Sequence, residues 1–222
     1  MTQRKFWLIS NSPRRREMLA WIDWDLDAFA ANIDESRRTG EPAEDYVLRI
    51  ASKKARVPIG GAKSGDVVIA ADTIVVLGED ILGKPEHPAQ AHEMLSRLRA
   101  REHRVLTAIA VQVADSGGSL QDICRTHVCM RDYSDEEIQR YVKSGDPMDK
   151  AGAYAIQNGL FHPAIDFNGC FASVMGMPLC HLERTLQKLS VTDPVGLGLI
   201  CQNHLKYTCP ITDRVMAGED IG

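Results

Sequence analysis

The stretch from Val67 to Val76 constrains the fold most, because it is almost continuously apolar. Such a run is typical of a strand that is covered on both faces, as the inner strands of α/β sheets are. One charged residue, Asp72, interrupts it. Burying an isolated carboxylate costs several kcal/mol, so Asp72 needs a cation, a metal or another polar partner. The pattern alone leaves open whether Asp72 caps a turn, pairs with one lysine or serves in catalysis.

The rest of the sequence alternates strands and helices around a central hairpin. Apolar runs predict strands at 6–9, 67–76, 105–113, 122–131, 152–157 and 170–175. Periodic apolar positions and capping residues predict helices from Pro13, at 42–57 and 88–99, from Ser134, and at 179–189. This order favours an α/β fold with a mixed sheet. Residues 1–190 are predicted to form one domain, and the weakly patterned residues 191–222 an appended C-terminal extension.

Charge and composition argue against several classes of protein. The net charge is −4 and the chain therefore lacks the strongly basic character of a nucleic-acid-binding protein. No apolar stretch is long enough to span a bilayer, and the N-terminal apolar run is too short for a signal peptide. The six cysteines include no C-x-x-C pair, which favours reduced thiols in a cytoplasmic protein.

The segment from Ser10 to Arg15, Ser-Asn-Ser-Pro-Arg-Arg, is a candidate phosphate site. Ser12 is suited to cap a helix whose first residue is Pro13, and a helix N-terminus presents free N–H groups to an anion. Two adjacent arginines add planar donors that match phosphate oxygens. An ordinary cap beside a solvated basic face is the alternative.

Isolated cations and carboxylates elsewhere could complete such a site. Lys54 lies near the edge of a buried helix face, and Lys84 follows an apolar strand between glycine and proline. Asp34 and Glu35 are adjacent on a loop, and their oxygens suit a hard divalent cation. Each of these features is also compatible with an ordinary solvated surface. Gln157 ends a loop rich in Asp, Lys and Gly, and its amide suits the edge of a nucleobase.

Several polar residues are better explained by structure than by chemistry. His103 and His127 lie in strand-like runs and are interpreted as structural histidines. Cys201, His204 and Cys209 provide at most three zinc ligands without a convincing fourth, so packing is favoured over a metal site. The sequence contains neither a P-loop nor a Rossmann glycine motif, so any phosphate site must be of another kind.

Eight segments, taken in order, resemble the Maf family of nucleotide pyrophosphatases, the septum-formation-inhibitor-like proteins. The segments are residues 10–15, 34–35, 51–55, 71–75, 83–85, 103–107, 149–157 and 174–179. The resemblance spans about residues 6–189. It implies two lobes around a long, twisted mixed sheet of the Maf/ITPase-like kind, with the active site in a central cleft. It also implies a cytoplasmic protein that forms a homodimer and uses Mg²⁺ or Mn²⁺.

The resemblance also assigns roles to particular residues. Asp72 falls on the catalytic proton acceptor of the family, and Arg14, Thr73 and Gln157 fall on positions linked to substrate choice. Glu35, Lys54 and Lys84 fall on the acidic residue and two lysines of the cleft. The predicted phosphate-binding set is Ser10, Ser12, Arg14, Arg15, Lys54 and Lys84. Glu35 is the predicted metal ligand.

Residues 150–157 resemble the branch of the family that acts on dTTP and UTP. The implied activity is hydrolysis of a nucleoside triphosphate to the monophosphate and pyrophosphate. Modified nucleotides are further candidate substrates. The chain departs from the family pattern at Ala108, Ala155 and Ser173, which leaves the preferred base open. The alternative is a regulator of cell division that binds nucleotides without hydrolysing them. Stable binding to nucleic acid through residues 14–16 is disfavoured by the acidic balance.

Overall fold

The computed structural model describes residues 4–191 and 196–222. Residues 1–3 of the predicted domain and 192–195 of the predicted extension lie outside the described part of the chain. The strands are β1 Phe6–Ile9, β2 Leu26–Phe29, β3 Val67–Leu77, β4 Asp80–Leu82, β5 Glu102–Val113, β6 Ser119–Met130 and β7 Ala164–Asn168. The helices are α1 Pro13–Ala20, α2 Ala43–Ala55, α3 Pro88–Leu98, α4 Asp135–Lys143, α5 Phe171–Met175, α6 Leu179–Lys188, α7 Leu197–Leu205 and α8 Thr212–Met216. Two 3₁₀ turns cover Asp146–Asp149 and Ala151–Ala153.

The described strands form one mixed sheet in the order β2-β1-β3-β5-β6-β7, with β4 paired to the end of β3. β1 is parallel to both β2 and β3, whereas the other neighbours are antiparallel. The predicted α/β class with a mixed sheet is therefore confirmed. β3 lies inside the sheet, and Asp72 faces Ala108 of β5 across the ladder. The backbone of Asp72 is thus fixed by a central strand.

Both faces of β3 are covered, as its apolar run predicts. Ala70 and Ile74 pack under α2, and Ile69 and Ala71 pack with α1 and α6 on the opposite face. A third apolar cluster surrounds Val75 at the far end of the strand and includes α3 and α4. The long β3, β5 and β6 therefore carry packed helices at both ends of the sheet, and a cavity lies between these two lobes.

Two of the strand predictions are wrong. Residues 152–157 form the end of a 3₁₀ turn followed by a further turn, and residues 170–175 form the N-cap Cys170 and all of α5. Gly152 has a φ of +67°, and a Cβ there would lie 2.8 Å from Val75 Cγ2. The turn is pressed against the sheet, so residues 152–155 are all buried and their short apolar run resembles that of a strand. β2 and β7 were not predicted, because they are short, half-exposed strands without a clear apolar alternation.

The C-terminal extension is folded onto the sheet and α6. α7 and α8 bury Leu197, Ile211 and Val215 in the same apolar cluster as α6. Arg184 of α6 binds the carboxylate of Asp122 and donates from Nη1 to the carbonyl oxygens of Val215 (3.3 Å) and Glu219 (2.6 Å). The weak sequence pattern of this segment thus conceals two short helices.

Arg125 of β6 provides a second attachment. Its guanidinium pairs with Glu44 of α2 (2.9 Å) and with Asp220 (3.0 Å). Its backbone N–H donates to the carbonyl oxygen of Gly222. We propose that the described residues of the extension, 191 and 196–222, are an integral part of the folded domain, although the extension was predicted to be an appendage.

Deleting residues 191–222 is expected to lower the Tm by more than about 10 °C. Each buried Leu, Ile or Val side chain contributes about 1.5–3 kcal/mol, and 1 kcal/mol corresponds to about 2–4 °C for a chain of this size. Thermal unfolding followed by circular dichroism measures the change. The control is Arg214→Ala, which removes only an exposed pair with Glu219 and is expected to change the Tm by less than about 2 °C. A truncated chain that melts like the intact one would show that the extension is peripheral.

Candidate active site

One cavity of about 320 Å³ is lined by every residue given a catalytic, phosphate-binding, specificity or metal-binding role above. The further candidate Asp34 does not line it, and its Oδ1 accepts from Ser36 N (2.9 Å). The cavity lies where the N-terminus of α1, the middle of β3 and the turns after Asp146 meet. The predicted residues that line it are Ser10, Ser12, Arg14, Arg15, Glu35, Lys54, Asp72, Thr73, Lys84 and Gln157. These positions are spread over most of the sequence, so the fold alone brings them together.

Asp72 is buried and paired with a lysine. The Nζ atom of Lys54 lies 2.8 Å from Asp72 Oδ1 and 3.0 Å from Glu35 Oε1. Burial raises the pKa of Asp72, and the charges of Lys54 and Arg15 oppose that rise. Glu35, by contrast, lies on a loop with about half of its side chain exposed. The arrangement places two carboxylates around one ammonium group, one in the protein interior and one at the rim.

Lys54 reaches Asp72 because of its place on α2. Val47, Ile50 and Lys54 recur on the buried face of this helix, so the last turn points the lysine toward β3. Tyr46, on the first turn, donates from its hydroxyl to the carbonyl oxygen of Glu35 (2.9 Å). One helix therefore supplies the cation and also holds the loop that carries the second carboxylate. Sequence reasoning missed Tyr46, although it lies eight positions before Lys54 on the same helix.

Arg15 is buried, and four of its five N–H donors bond to other residues of the protein. Nε donates to Gly176 O (2.8 Å), Nη1 to Ala71 O (2.8 Å) and Ser10 Oγ (3.3 Å), and Nη2 to Thr73 Oγ1 (2.9 Å). A guanidinium has five N–H donors, so one remains for a ligand. Burial lowers the pKa of Arg15 and the charge of Asp72 opposes this. The geometry thus suits Arg15 to hold β1, β3 and the residue after α5 together around Asp72.

Thr73 belongs to the same network. Its hydroxyl lies 2.9 Å from that of Thr107, which donates to Ser173 O (2.8 Å). The two threonines face each other across β3 and β5. A chain of hydrogen bonds therefore runs from Arg15 to α5 beneath the cavity. Thr107 was not among the predicted site residues, although its segment was one of those that resemble the family.

The other predicted cations are less enclosed. Arg14 Nη1 lies 3.0 Å from Asp149 Oδ2, so its charge is paired across the cavity. Lys84 is exposed and forms no hydrogen bond or ion pair within the described residues. Ser12 caps α1 by accepting from Arg15 N (3.5 Å), and Ser10 Oγ accepts from Ser12 N (3.1 Å). The two hydroxyls shape the turn that ends at the helix N-terminus.

Gln157 lies at the exposed rim, on a turn and not at the end of a strand as predicted. Its amide has no hydrogen bond in the part of the chain that the structure describes. It is therefore available to a ligand without the loss of an existing contact. Asp149, Lys150 and Tyr154 also line the cavity and were not predicted as site residues. The only sequence signal for them was the dense run of polar residues and glycines before Gln157.

The structural interpretation of the two histidines agrees with their contacts. His103 is buried, its Nε2 lies 2.8 Å from Tyr154 Oη, and burial lowers its pKa to about 4. His127 is exposed and lies 3.0 Å from Glu102. Neither imidazole lines the cavity.

The residues considered for zinc have other contacts. Cys201 is buried in the apolar cluster, and His204 stacks on Trp21 with ring centroids 4.7 Å apart. Within residues 4–191 and 196–222, no three His, Cys, Asp or Glu side chains are placed to bind one metal ion.

The part of the chain that the structure describes includes no helix long and apolar enough to span a membrane.

Comparison with known proteins identifies a family that matches most of this sequence. The family model for the Maf-like protein matches residues 5–189. The dTTP/UTP pyrophosphatase of Hahella chejuensis is 42% identical over 193 residues, which are 85% of this chain and 94% of that protein. The dTTP/UTP pyrophosphatase of Geotalea uraniireducens is 38% identical over 186 residues, or 84% and 95%. Residues after 189 lie outside the family match.

Two solved structures are also similar in part. A nucleoside-triphosphatase, or dITP/XTP pyrophosphatase, from Mycobacterium abscessus has a TM-score of 0.36 and 14% identity, over 58% of this chain and 75% of that chain. The Ham1 protein of Staphylococcus aureus has a TM-score of 0.39 and 15% identity, over 58% and 73%.

Proposed function

The chain belongs to the Maf family, and on this premise we propose that it hydrolyses nucleoside triphosphates to the monophosphate and pyrophosphate. The proposed substrates are dTTP and UTP, which the names of its relatives specify. The observation that carries the proposal is the buried carboxylate of Asp72, which lies in a cavity lined by Arg14, Lys54 and Lys84. A site of this composition matches a polyanion that must react with water.

In the proposed reaction, Asp72 accepts a proton from the attacking water. The water oxygen forms a bond to the α-phosphorus, and the bond to the oxygen that bridges the α- and β-phosphates breaks. Pyrophosphate leaves with that oxygen, and the monophosphate keeps the oxygen of the water. A positioned base of this kind contributes about 10²–10⁴ in rate. Asp72 must be ionised to act, and Lys54 and Arg15 favour the ionised form.

The cations of the cavity neutralise the triphosphate. Lys84 has no competing partner among the described residues, and Arg14 retains donors beyond those that contact Asp149. At the N-terminus of α1, Pro13 has no N–H and Arg15 N and Arg16 N donate to Ser12, so the backbone N–H of Arg14 is the one that α1 can offer an anion. Phosphoryl transfer depends mainly on positioning and on charge neutralisation. Arg15 would serve the reaction by holding the backbone beside Asp72, with one donor left for phosphate.

The same cavity fits a divalent cation such as Mg²⁺ or Mn²⁺. Glu35 presents a half-exposed carboxylate at the rim, where its Oε1 now pairs with Lys54 Nζ (3.0 Å). Oxygen ligands are those that these ions prefer, and most of the remaining ligands would be phosphate oxygens of the substrate. When bound, the cation would offset the negative charge of the phosphates. We assign Glu35 as its main protein ligand.

Three residues, Arg14, Thr73 and Gln157, are proposed to determine substrate choice. Gln157 offers a free donor and acceptor at the rim, which suits the edge of a pyrimidine. Thr73 would act from the cavity wall, where its hydroxyl bonds to Arg15 and Thr107, and Arg14 would fix the position of the phosphates. We also propose a cytoplasmic location, which six free cysteines support. The homodimer that the resemblance implies stays a prediction, which the molar mass in solution would check.

A panel of ordinary and modified nucleoside triphosphates, each with Mg²⁺ or Mn²⁺, tests the proposal. We expect pyrophosphate and monophosphate in equal amounts, with dTTP and UTP the best substrates. Chelation by EDTA is expected to lower the rate at least about 100-fold, because several kcal/mol of charge stabilisation are lost. Release of orthophosphate would contradict the assigned bond cleavage. Tight binding of triphosphates without any product would instead favour the non-catalytic regulator.

A further inference from the structure

An ion pair ties Arg14 to the opposite wall of the cavity. Arg14 is the second residue of α1, whereas Asp149 ends the 3₁₀ turn before Lys150. Nη1 of Arg14 lies 3.0 Å from Asp149 Oδ2, and Nη2 lies 3.5 Å from the carbonyl oxygen of Asp149. The two residues are 135 positions apart, so no local structure requires the contact. The guanidinium is thereby held from one side, and its other donors have no partner within the described residues.

Lys150 holds Asp149 in place. Its Nζ atom lies 2.6 Å from Asp149 Oδ1 and also contacts Asp146 at the carbonyl oxygen (2.5 Å) and at Oδ1 (3.1 Å). Lys150 is only 7% exposed, so these bonds compensate for its burial. Asp146 is fixed in turn by the hydroxyl of Tyr141 (2.6 Å). Each carboxylate oxygen of Asp149 therefore meets a different cation, the buried Lys150 and the less enclosed Arg14.

Asp149 carries its charge at neutral pH. Burial opposes ionisation, but the hydrogen bond from Lys150 and the charge of Arg14 outweigh it, so the pKa of Asp149 lies below its usual value. About half of its side chain is exposed. A long arginine side chain has many rotamers, and an anchored carboxylate beside it limits them before a ligand arrives. Reducing the entropy lost on binding increases affinity.

We propose that Asp149 is a positioning residue that orients Arg14 for the triphosphate of the substrate. This inference rests on the proposed function and deepens it, since it names the group that aligns a phosphate-binding cation. Asp149 itself repels phosphate, so it acts only through Arg14. It follows that removing Asp149 weakens nucleotide binding, even though a negative charge leaves the cavity.

A double-mutant cycle measures this dependence. Pyrophosphate release from dTTP is compared in the wild type, Asp149→Ala, Arg14→Ala and the double variant. We expect Asp149→Ala to raise KM about tenfold and to change kcat by less than about threefold, because orientation of a binding group is lost. The double variant is expected to match Arg14→Ala within about twofold. Independent, multiplicative effects would overturn the proposal, and so would a lower KM in Asp149→Ala.

Two further variants separate positioning from general stability. Asp149→Asn keeps an oxygen that can accept from Arg14 but loses the charge, so it is expected to recover part of the affinity. Asp135→Ala removes a comparable exposed aspartate–arginine pair, with Arg99, outside the cavity. It is expected to leave KM unchanged. If Asp135→Ala raised KM as Asp149→Ala does, the effect would be one of surface charge and the proposal would fail.

A binding measurement keeps this test separate from the proposed activity. Calorimetry with a dTTP analogue that has nitrogen in place of the α,β-bridging oxygen gives Kd for the same four proteins. If the wild type releases no pyrophosphate from any triphosphate, the hydrolase proposal fails while the cycle in Kd still measures the coupling. Coupling of about tenfold in Kd would support the positioning role, and its absence would overturn it.

Discussion

Asp72→Asn is expected to abolish pyrophosphate release while the protein stays folded. The amide has the shape of the carboxylate but cannot accept the proton of the attacking water. The loss of a positioned base lowers kcat by about 10²–10⁴, while Kd for the nonhydrolysable analogue changes little. Burial raises the pKa of Asp72, which means that the fold disfavours its charge. The amide oxygen can still accept from Lys54, which also keeps its pair with Glu35, and the Tm of the variant is expected to stay close to that of the wild type.

Asp66 provides a matched control just before the same strand. It is also buried, but it accepts hydrogen bonds from Lys5 N (3.2 Å), Lys63 N (2.9 Å) and Trp7 Nε1 (3.1 Å). Asp66→Asn is expected to lower the Tm and to leave kcat within about threefold of the wild type, since it is a structural acceptor. The opposite pattern, with an active Asp72→Asn and an inactive Asp66→Asn, would rule out the assigned base.

Lys54→Met is expected to shift the acidic limb of the pH–rate profile to higher pH. Activity requires ionised Asp72, so kcat/KM falls as the pH drops through the pKa of that carboxyl. Lys54 is the strongest influence that opposes the rise caused by burial. Loss of a close opposite charge moves a carboxyl pKa by about 1–3 units. A profile of kcat/KM against pH, recorded for both proteins, measures the shift.

Lys54→Met is also expected to lower the free energy of unfolding, by an amount that depends on pH. Removing one partner of a buried ion pair costs up to about 3–5 kcal/mol. Protonation of Asp72 offsets part of this loss of stability. In the variant, the pKa of Asp72 is higher in the folded than in the unfolded state, so the free energy of unfolding rises as the pH falls. The control is Lys53→Met, because Lys53 Nζ donates to the exposed Asp34 O (3.3 Å) and has no ion pair within residues 4–191 and 196–222. An acidic limb that moves equally in both variants would contradict the pairing of Lys54 with Asp72.

The central part of the site could be predicted from the sequence because its signals are local. The apolar run around Asp72 is long enough to identify a covered strand, and its single carboxylate is conspicuous. Lys54 follows the periodic apolar positions of α2, and Lys84 follows the end of β4. In each case the neighbours in sequence determine the environment of the side chain.

The remaining features depend on contacts between distant segments. Arg14 and Arg15 are adjacent and chemically alike, yet only the packing of α1 decides that Arg15 enters the protein and Arg14 faces the cavity. The turn at 152–157 has the short apolar run of a strand, because Gly152 and the residues that follow it are buried beside Val75. Asp149 looked like one more polar loop residue, since nothing nearby reveals a partner in α1.

The separation of the contacting segments has a consequence for how the chain folds. Thr73 meets Thr107 across 34 residues, whereas Arg15 reaches Gly176 across 161 and Arg14 reaches Asp149 across 135. Short loops close at a smaller entropic cost than long ones. The β3–β5–β6 meander can therefore form early, whereas docking of the first helix must wait for nearly the whole polypeptide. A partly folded or nascent chain would carry the aspartate without the arginines around it, and hydrolysis would begin only when folding is complete.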